Sequence, residues 1–465
     1  MHAPVPTGLL VSAGLASSAA TAWAAAEPTG TADFNTDRRS YGEFWSQAAR
    51  LLASLPKKAR RNEVERPAAE AIFSAARAAR DRFLAAHAPV VYGELTAGWT
   101  RFVRIEELVY LAAKALPGLV PSRDEVDAEA SLDQRDKDGV EIDQGIFLSR
   151  VLAGERAGLH LCHAMLLPRA DSGAHGATFT AKGVLDLGAA RLERKGKAVY
   201  LTAGNPRFLN AEDDTTLDAT EIAVDVAILD GASELVVLRG DKVEHPKYRD
   251  RPVFGAGINL THLYRGKIPF LWFLRRDLGY VHKILRGVAR PDSFPDDVNG
   301  FGTEKQWVAA VDTFAIGGHC QLLLVMDYVL AAADAFMTLP ARKEGIVPGL
   351  ANLRLPRFTG DRIARQAIQY GHRLDCDSPE GRMICSEIVQ PDEMDVAVER
   401  VVSGLTNAGP VSAVSNRRAL RVGQEPIDLF RGYCSVYSRE QAYCHFSPAL
   451  IKNLERNWDA KNRKM

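Results

Sequence analysis

The spacing of apolar residues changes near residue 176, and this change constrains the fold more than any other feature. Between Asp37 and Leu167 apolar side chains recur every three or four residues, as at Phe44 and Ala48, which is typical of amphipathic helices. Beyond residue 176 short runs are apolar in the manner of strands, with helical stretches between them; the runs are Val199–Leu201, Ala223–Leu229 and Leu235–Leu238. Repeated strand and helix units predict an α/β core that follows a helical domain.

The length of 465 residues and these changes of pattern predict four segments. We expect a flexible, Ala-rich N-terminal extension at 1–36, a helical domain at 37–175, the α/β core at 176–360 and a C-terminal helical region at 361–465. Two polar stretches are predicted as irregular, a linker at 170–176 and a loop at 407–422. The Ala-rich run lacks the basic start of a signal peptide, which favours an extension over a secretion signal.

The charges of the chain balance, because 58 Lys and Arg residues face 58 Asp and Glu residues. No net field therefore favours nucleic acid or an anionic membrane, and no later segment has the ~20 uninterrupted apolar residues that cross a bilayer. The six cysteines are scattered without a CxxC pair, which favours reduced thiols and a cytoplasmic location. Any anionic ligand must be held by local groups.

Two glycine turns carry most of the chemical information. The first is Phe254–Leu260 (FGAGINL) and the second is Ile316–Gln321 (IGGHCQ), each after an apolar stretch. Glycine lets the backbone turn tightly and brings bare N–H groups close to a ligand, and a helix that begins after Gly318 adds its positive dipole end. Two amides converging on one oxygen, those of Ile258 and Gly318, would stabilise an enolate or a tetrahedral oxyanion.

Each turn taken alone has simpler interpretations. A glycine turn is more often a plain chain reversal than a ligand site. Gly255 and Gly257 also begin a dinucleotide-binding GxGxxG pattern, but Leu260 occupies the position of its third glycine, which argues against that interpretation. The two turns are therefore informative only as a pair and with what surrounds them.

The pair and its surroundings resemble the crotonase (enoyl-CoA hydratase and isomerase) superfamily. FGAGINL matches the AxGAGADL strand of that family, IGGHCQ matches its GGGCE helix start, and Leu322–Gly360 follows its acidic-strand and LGxxPG pattern. Asn205–Ala211 (NPRFLNA) is similar to the segment NRP…LNAL that lines its coenzyme A site. The resemblance, over roughly 190–370, implies a ββα spiral core that binds a coenzyme A thioester at the amides of Ile258 and Gly318. It also implies a homotrimer or homohexamer formed through the C-terminal helices.

Two family residues are missing from the site. Crotonase hydratases use two glutamates as acid and base, and the matching positions in this chain are Gln321 and Ala341. Neither side chain transfers a proton as a carboxylate does. A hydratase or isomerase mechanism is therefore disfavoured, although the chain has both glycine turns of the family, which are called the oxyanion turns below.

A subgroup of the superfamily has the same combination, the cofactor-independent (3,5-dihydroxyphenyl)acetyl-CoA dioxygenases of glycopeptide-antibiotic pathways. The resemblance rests on VFGAGINLTHLY (Val253–Tyr264), on NAEDD (Asn210–Asp214) and on IGGHCQ, together with a helical domain ahead of the core. It implies oxidation of (3,5-dihydroxyphenyl)acetyl-CoA by O2 to (3,5-dihydroxyphenyl)glyoxylate and free coenzyme A, without metal or flavin. Ground-state O2 reacts slowly with closed-shell molecules, but an aryl-stabilised carbanion of the substrate can activate it directly.

The resemblance also implies roles for single residues. Ring hydroxyls are expected to bind Glu212, Arg276 and Gln321, and the rest of the thioester is expected to contact Arg207, His245, Lys247, Tyr248, Gly257 and Asn259. An apolar pocket for O2 is expected to be lined by Ile258, Leu260, Ala341 and Ile346, where alanine in place of glutamate removes a charge and opens space. Each residue taken singly has a simpler role in the core or on a solvated surface. The sequence does not identify the base that removes the α-proton.

Other functions stay open at this stage. The chain is alternatively a crotonase-type lyase, hydratase or hydrolase with an unrecognised base, or an inactive coenzyme A-binding scaffold. No GxSxG elbow is present, which argues against a serine hydrolase. No metal is expected, because neither the pair His160 and His163 nor Cys444-His445 has a further ligand at matching spacing. Cys320 is interpreted as a packing residue.

Overall fold

The computed structural model describes residues 6–248 and 250–463, and the chain divides into two compact units. The first unit runs to Leu161 and includes Arg265–Leu271 and Cys434–Pro448, and the second unit holds the remaining described residues. Each unit is therefore built from segments that are distant in the sequence.

The first unit is helical. Its helices are α1 (Thr7–Ser12), α2 (Ser17–Ala25), α3 (Phe34–Ala53), α4 (Glu65–Leu95), α5 (Ile105–Ala115), α6 (Arg123–Ala130), α7 (Ile142–Ala153) and the start of α8 (Glu155–Leu166). Aromatic rings of α3 and α4 meet in its core, where Phe83 lies 5.4 Å from Tyr41 and 5.5 Å edge-on from Trp45, between ring centroids. The helical region that the apolar spacing predicts is confirmed.

The stretch predicted as a flexible extension is folded wherever the structure describes it, and residues 1–5 of that prediction lie outside the described part. Helices α1 and α2 fall within it, and Leu10 and Trp23 are buried. Trp23 stacks on Phe44 with ring centroids 5.0 Å apart, and its Nε1 donates to the Phe44 carbonyl at 3.2 Å. The expectation is corrected because one buried tryptophan supplies contact area that an alanine-rich composition does not reveal.

The second unit contains the sheets. Its strands are β1 (Val184–Asp186), β2 (Ala190–Lys195), β3 (Ala198–Ala203), β4 (Leu235–Gly240), β5 (Val288–Ala289), β6 (Gly302–Thr303), β7 (Gln306–Val311), β8 (Phe314–Ile316), β9 (Tyr328–Ala332), β10 (Phe336–Thr338), β11 (Leu374–Asp375) and β12 (Glu387–Val389). The remaining helices are α9 (Ser172–Lys182), α10 (Leu217–Leu229), α11 (Leu260–Tyr264), α12 (Phe270–Leu278), α13 (Tyr280–Arg286), α14 (Gly318–Leu323), α15 (Ala341–Glu344), α16 (Ala351–Arg365), α17 (Met394–Thr406), α18 (Pro410–Gln424), α19 (Ile427–His445) and α20 (Pro448–Trp458). Three of these helices, α12, α19 and α20, have residues in both units.

A seven-stranded sheet in the order β1-β2-β3-β4-β7-β9-β12 forms the centre of this unit. Its first three strands pair antiparallel, and the strands from β3 to β12 pair parallel. Strands β4 and β7 are buried along almost their whole length, as expected for parallel strands covered on both faces. A second sheet, β11-β10-β8, carries the second glycine turn at the end of β8. The predicted α/β class is confirmed.

Three segments differ from the sequence-based expectation. The apolar run Ala223–Leu229 belongs to helix α10, because a helix buried on all sides has the same continuous apolar pattern as a buried strand. The linker at 170–176 largely belongs to helix α9, where Ser172 Oγ donates to buried Asp225 Oδ2 at 2.8 Å. The loop at 407–422 is mostly helix α18.

Helix α18 is stabilised by charge rather than by an apolar face. Arg417, Arg418 and Arg421 all donate to the carboxylate of Glu304, at 3.1, 2.7 and 2.8 Å. Burial raises the pKa of Glu304, but the arginines outweigh that effect and lower the pKa below its usual value. A polar sequence therefore forms a packed helix because its partner carboxylate lies far away in the chain.

The close approach of α7 to α19 in the first unit yields a stability prediction. A Cβ on Gly145 would lie 2.5 Å from Ala442 Cβ and 2.8 Å from the Ser438 carbonyl oxygen. We expect Gly145→Ala to lower the free energy of unfolding by about 1–3 kcal/mol, because overpacking a tight contact forces the backbone apart. Thermal or urea denaturation followed by circular dichroism measures this.

The matched control is Gly173→Ala in helix α9, where a Cβ meets no atom within 4 Å. Alanine is the better helix former by roughly 1 kcal/mol, so this variant should be as stable as the parent or more so. Equal stability of the two alanine variants would contradict the packing argument.

Candidate active site

Backbone pairing brings the two glycine turns together. Gly255 pairs in parallel with Ala315 of β8, through bonds from the Gly255 amide to the Phe314 carbonyl at 3.3 Å and from the Ile316 amide to the Gly255 carbonyl at 3.0 Å. A Cβ on Gly257 would lie 2.8 Å from the Ile316 carbonyl oxygen. Gly257 also has φ +80°, a conformation that favours glycine. The close contact of the turns therefore depends on the glycine at 257.

The amides of Ile258 and Gly318 are both available for a ligand. The Gly257 carbonyl accepts the Glu212 amide at 2.7 Å, which fixes the peptide that carries the Ile258 N–H. Gly318 is the first residue of α14, where the helix leaves backbone donors unused. Neither N–H donates to any atom of residues 6–248 and 250–463. Two unused donors beside one another, one of them at a helix N-terminus, can bind a negatively charged oxygen.

A buried arginine organises the polar side of the site. Arg276 is only 3% exposed and donates to Glu212 Oε1 at 2.9 Å, Asp277 Oδ1 at 2.8 Å, Gln321 Oε1 at 3.0 Å and the Gly318 carbonyl at 2.7 Å. Burial alone would lower the pKa of Arg276, but the carboxylates of Glu212 and Asp277 outweigh it and raise the pKa above its usual value. Arg276 thus contacts both of the other side chains predicted for the ring hydroxyls, Glu212 and Gln321.

Further hydrogen bonds hold this polar group in place. Tyr280 donates its hydroxyl to Glu212 Oε1, and the Asn259 amide donates to the Glu212 carbonyl at 2.8 Å. Asn259 Nδ2 also donates to Asp213 Oδ2 at 2.9 Å, and Trp272 Nε1 donates to the Asp213 carbonyl at the same distance. Asn259 therefore connects the first turn to the segment that carries Glu212.

The residues predicted for the coenzyme A part lie near one another on the surface. The Glu244 amide donates to the Pro206 carbonyl at 3.3 Å, which places the loop of His245, Lys247 and Tyr248 next to Arg207. Arg207, His245 and Lys247 are exposed, whereas Tyr248 is half-buried. The Tyr248 ring packs edge-on against Phe314 at 5.2 Å, in a cluster that includes Ala256 and Ile316 of the two turns.

Two of the four residues predicted to line an oxygen pocket, Ala341 and Ile346, are joined by a backbone hydrogen bond. Ile258 and Ala341 are buried, Leu260 and Ile346 are half-buried, and the Ile346 amide donates to the Ala341 carbonyl at 3.0 Å. A cavity of about 30 Å³ lies next to His319 of the second glycine turn. None of these four residues lines this cavity. It is lined by apolar side chains of the sheet, such as Leu201, Leu238 and Trp307, and by Glu212, Tyr280 and His319.

The sequence did not single out two buried groups near these turns, His319 and Tyr280, and a third buried group on helix α15, Glu344. His319 follows Gly318 directly, and burial lowers the pKa of its ring to about 4. Tyr280 contacts Glu212, although nothing in its sequence neighbourhood marks it. Glu344 ends helix α15, which begins at Ala341, and burial raises the pKa of its carboxyl to about 7. The only available signal was that His319 interrupts the glycine run of the family motif.

Candidate metal ligands in the described chain already have hydrogen-bond partners. Asp213, Asp214 and His262 have ligand atoms within 4.8 Å of one another, but Asp213 Oδ2 accepts hydrogen bonds from both Asn205 and Asn259. His160 is hydrogen-bonded at both ring nitrogens, to Tyr92 and to the Trp99 carbonyl. Burial raises the pKa of Cys320 to about 12, so its thiol stays protonated, in keeping with a packing role.

No helix among the described residues has the length and hydrophobicity needed to cross a membrane.

Comparison with known proteins agrees with this geometry. The family model for enoyl-CoA hydratase/isomerase matches residues 301–426. The chain is 45% identical over 416 residues to the (3,5-dihydroxyphenyl)acetyl-CoA 1,2-dioxygenase of Amycolatopsis orientalis, a match that covers 89% of this chain and 94% of that protein. It is 25% identical over 236 residues to the crotonyl-CoA hydratase of Syntrophomonas wolfei subsp. wolfei, covering 50% of this chain and 82% of that protein.

Among solved structures, an enoyl-CoA hydratase/isomerase from Xanthobacter autotrophicus Py2 matches with a TM-score of 0.48 and 20% identity, covering 59% of this chain and 96% of that one. The sequence match to the dioxygenase spans both the helical region and the core, whereas the hydratase covers about half of the chain. The chain therefore belongs to the crotonase (enoyl-CoA hydratase/isomerase) superfamily, in the family that includes the dioxygenase of Amycolatopsis orientalis.

Proposed function

We propose that the protein is a dioxygenase that converts (3,5-dihydroxyphenyl)acetyl-CoA and O2 to (3,5-dihydroxyphenyl)glyoxylate and free coenzyme A. The observation that carries this proposal is the 45% identity to such a dioxygenase over 89% of the chain. The site supports it, because Gln321 and Ala341 occupy the positions of the two hydratase glutamates while both oxyanion amides remain unused. A dioxygenase of this kind needs a stabilised enolate. It does not need the acid and the base that add water to a double bond.

The polar group around Arg276 is suited to the two ring hydroxyls. Arg276 Nη2 carries a second N–H beyond the one given to the Gly318 carbonyl. Gln321 Oε1 accepts from Arg276, while its Nε2 donates to no atom of the described chain. Glu212 offers a carboxylate acceptor. We assign these donors and this acceptor to the hydroxyls at the meta positions, which hold the ring beside the oxyanion turns.

The amides of Ile258 and Gly318 then bind the thioester oxygen. Loss of the α-proton gives an enolate whose charge is shared between that oxygen and the aryl ring, and the two N–H groups stabilise it. The enolate transfers one electron to O2, and the resulting radicals combine to form a C–O bond at the α-carbon. The terminal peroxide oxygen attacks the thioester carbonyl and expels the thiolate. The α-carbon then loses its second proton, and the electron pair of that C–H bond forms the ketone as the O–O bond breaks. Both oxygen atoms of O2 end in the arylglyoxylate.

In this scheme the substrate supplies all the electrons, so we propose that no metal or flavin takes part. The O2 pocket of Ile258, Leu260, Ala341 and Ile346 remains part of the proposal, supported by their apolar side chains. Coenzyme A is proposed to lie along Arg207, His245, Lys247 and Tyr248, next to Gly257 and Asn259, since the cluster around Tyr248 reaches both turns. Cationic and aromatic side chains suit its phosphates and adenine.

We further propose assembly as a homotrimer or homohexamer and a cytoplasmic location. Large apolar side chains on the C-terminal helices support assembly, since Val396, Val411 and Leu420 are 69%, 81% and 61% exposed. None of the six cysteines, all within the described residues, forms a disulfide, which suits a reducing compartment.

The reaction predicts a defined stoichiometry. Chelator-treated, metal-analysed enzyme with (3,5-dihydroxyphenyl)acetyl-CoA should consume one O2 for each coenzyme A released, because one O2 supplies both new oxygen atoms. An oxygen electrode and a thiol reagent measure the two quantities. Oxygen uptake that disappears when a bound metal is removed would contradict the cofactor-free scheme. Coenzyme A release or hydration without oxygen would identify a hydrolase or hydratase, and binding without turnover would identify a scaffold.

The oxyanion role of Gly318 is tested by a pair of substitutions. A side chain at 318 collides with Glu212, so Gly318→Ala and Gly318→Pro share that defect, but only proline lacks the N–H. Proline is tolerated at the first position of a helix, where Gly318 lies. We expect kcat/KM of the proline variant to be about 10²-fold below that of the alanine variant, as for loss of one oxyanion donor. Equal kcat/KM values, with equal melting temperatures, would remove this amide from the mechanism.

A further inference from the structure

One side chain connects the residues next to both oxyanion amides. His319 directly follows Gly318, and its Nδ1 accepts the Gly257 amide at 3.1 Å. Gly257 directly precedes Ile258. The hydrogen bond therefore joins the two turns at positions adjacent to the two amides that face the ligand.

The surroundings of the ring fix its orientation. The side chain is 6% exposed, and Phe254 packs edge-on against it with ring centroids 5.9 Å apart. A Cβ on Gly255 would collide with the imidazole, so the absence of a side chain at 255 provides the space for the ring. The imidazole thus fills a slot formed by the first turn and has little freedom to rotate away from the Gly257 amide.

The bond requires one protonation state. For Nδ1 to accept, the imidazole must be neutral with its proton on Nε2. Burial lowers the pKa of His319 to about 4, the Glu212 carboxylate 4.0 Å away acts to raise it, and the Arg276 guanidinium acts to lower it. Tyr280 lines the same cavity and donates its hydroxyl hydrogen bond to Glu212. The ring therefore remains an acceptor near pH 7.

The Gly257 peptides need such support. Gly257 has φ +80° and no side chain to restrict it. Its carbonyl accepts the Glu212 amide at 2.7 Å, and its amide donates to His319. These two bonds fix the peptide planes on both sides of Gly257, and the second plane carries the Ile258 N–H. Without the bond to His319 the Glu212 amide would still hold the Gly257 carbonyl, but the plane on the amide side of Gly257 would lose its side-chain anchor. The flexible glycine between the two planes would then let the Ile258 N–H tilt away from the Gly318 amide.

We propose that His319 is a positioning residue whose neutral imidazole holds the Gly257 amide so that the amides of Ile258 and Gly318 point at one oxygen. The inference rests on the proposed function only because both use the same pair of amides. His319 does not touch the reacting atoms in this scheme. It acts through the backbone of the first turn.

Three substitutions separate positioning from space filling. Asparagine places an acceptor oxygen near the position of Nδ1, glutamine extends its oxygen toward the position of Nε2, and alanine has no acceptor. We expect His319→Ala and His319→Gln to lower kcat by roughly 10- to 100-fold, less than complete loss of an oxyanion donor. His319→Asn should keep kcat within about threefold of the parent, and KM should change little in all three.

A spectroscopic readout reports the oxyanion contact directly. (3,5-Dihydroxyphenyl)acetyl-CoA labelled with carbon-13 at the thioester carbonyl, bound without oxygen, should show a carbonyl stretch shifted to lower frequency in the parent and in His319→Asn. The shift should be smaller in His319→Ala and His319→Gln, because one amide no longer points at the carbonyl. Isotope-edited infrared difference spectra measure it, and circular dichroism checks that each variant is folded. If alanine does not fold, the comparison of asparagine with glutamine still decides.

Equal kcat values and equal carbonyl shifts in the asparagine and glutamine variants would overturn the positioning role and leave His319 as a packing residue. The infrared experiment needs only a bound thioester. A parent enzyme that polarises the carbonyl without oxygen but consumes none when oxygen is admitted would therefore refute the proposed dioxygenase while leaving this inference intact.

Discussion

The site depends on the parallel pairing of Gly255 with Ala315. Two backbone hydrogen bonds join segments about sixty residues apart and bring the first glycine turn against the start of helix α14. Everything else at the site follows from that contact. Side chains are excluded at 255 and 257, where a Cβ would meet the other turn, and the amides of Ile258 and Gly318 are left side by side without acceptors. Ile258 is buried and Gly318 is half-buried, and partial burial increases the stabilisation that such donors give to a developing charge.

The buried Arg276 also holds the site together, through hydrogen bonds to side chains and to the backbone of the second turn. A buried guanidinium is unfavourable unless its donors are satisfied, and here Glu212, Asp277 and the Gly318 carbonyl accept from it. Its bond to that carbonyl also holds the peptide that follows the second oxyanion residue. The side chains proposed to bind the ring are therefore connected to the backbone proposed to bind the thioester. In the proposed function, recognition of the ring and stabilisation of the enolate share one hydrogen-bond network, so a ring without hydroxyls should lose orientation as well as affinity.

The sequence predicted the parts of this arrangement that depend on backbone chemistry. Glycines at strand ends, and the replacement of two glutamates by Gln321 and Ala341, are readable directly because they are local. Side-chain partners distant in the chain were not readable. Helix α18 looks like a polar loop until Glu304, more than a hundred residues away, is placed against its three arginines. Likewise, neither the docking of Trp23 on Phe44 nor the contact of Tyr280 with Glu212 leaves a periodic signal. Tertiary contact decided these cases and local propensity did not.

The acid strengths of the groups at the site give a chemical reason for Gln321 and Ala341 at the positions of the two hydratase glutamates. An enolate that must react with O2 has to avoid reprotonation, so acids near its α-carbon are harmful. Neighbouring carboxylates raise the pKa of Arg276 above its usual value, and the guanidinium therefore does not release a proton. His319 is neutral near pH 7, because burial lowers its pKa to about 4. The Tyr280 hydroxyl donates a hydrogen bond to Glu212. Gln321 and Ala341 have no acidic proton at all. The groups that remain around the two glycine turns are hydrogen-bond donors and acceptors but weak acids. In the proposed mechanism they stabilise charge on the thioester oxygen without neutralising it on carbon.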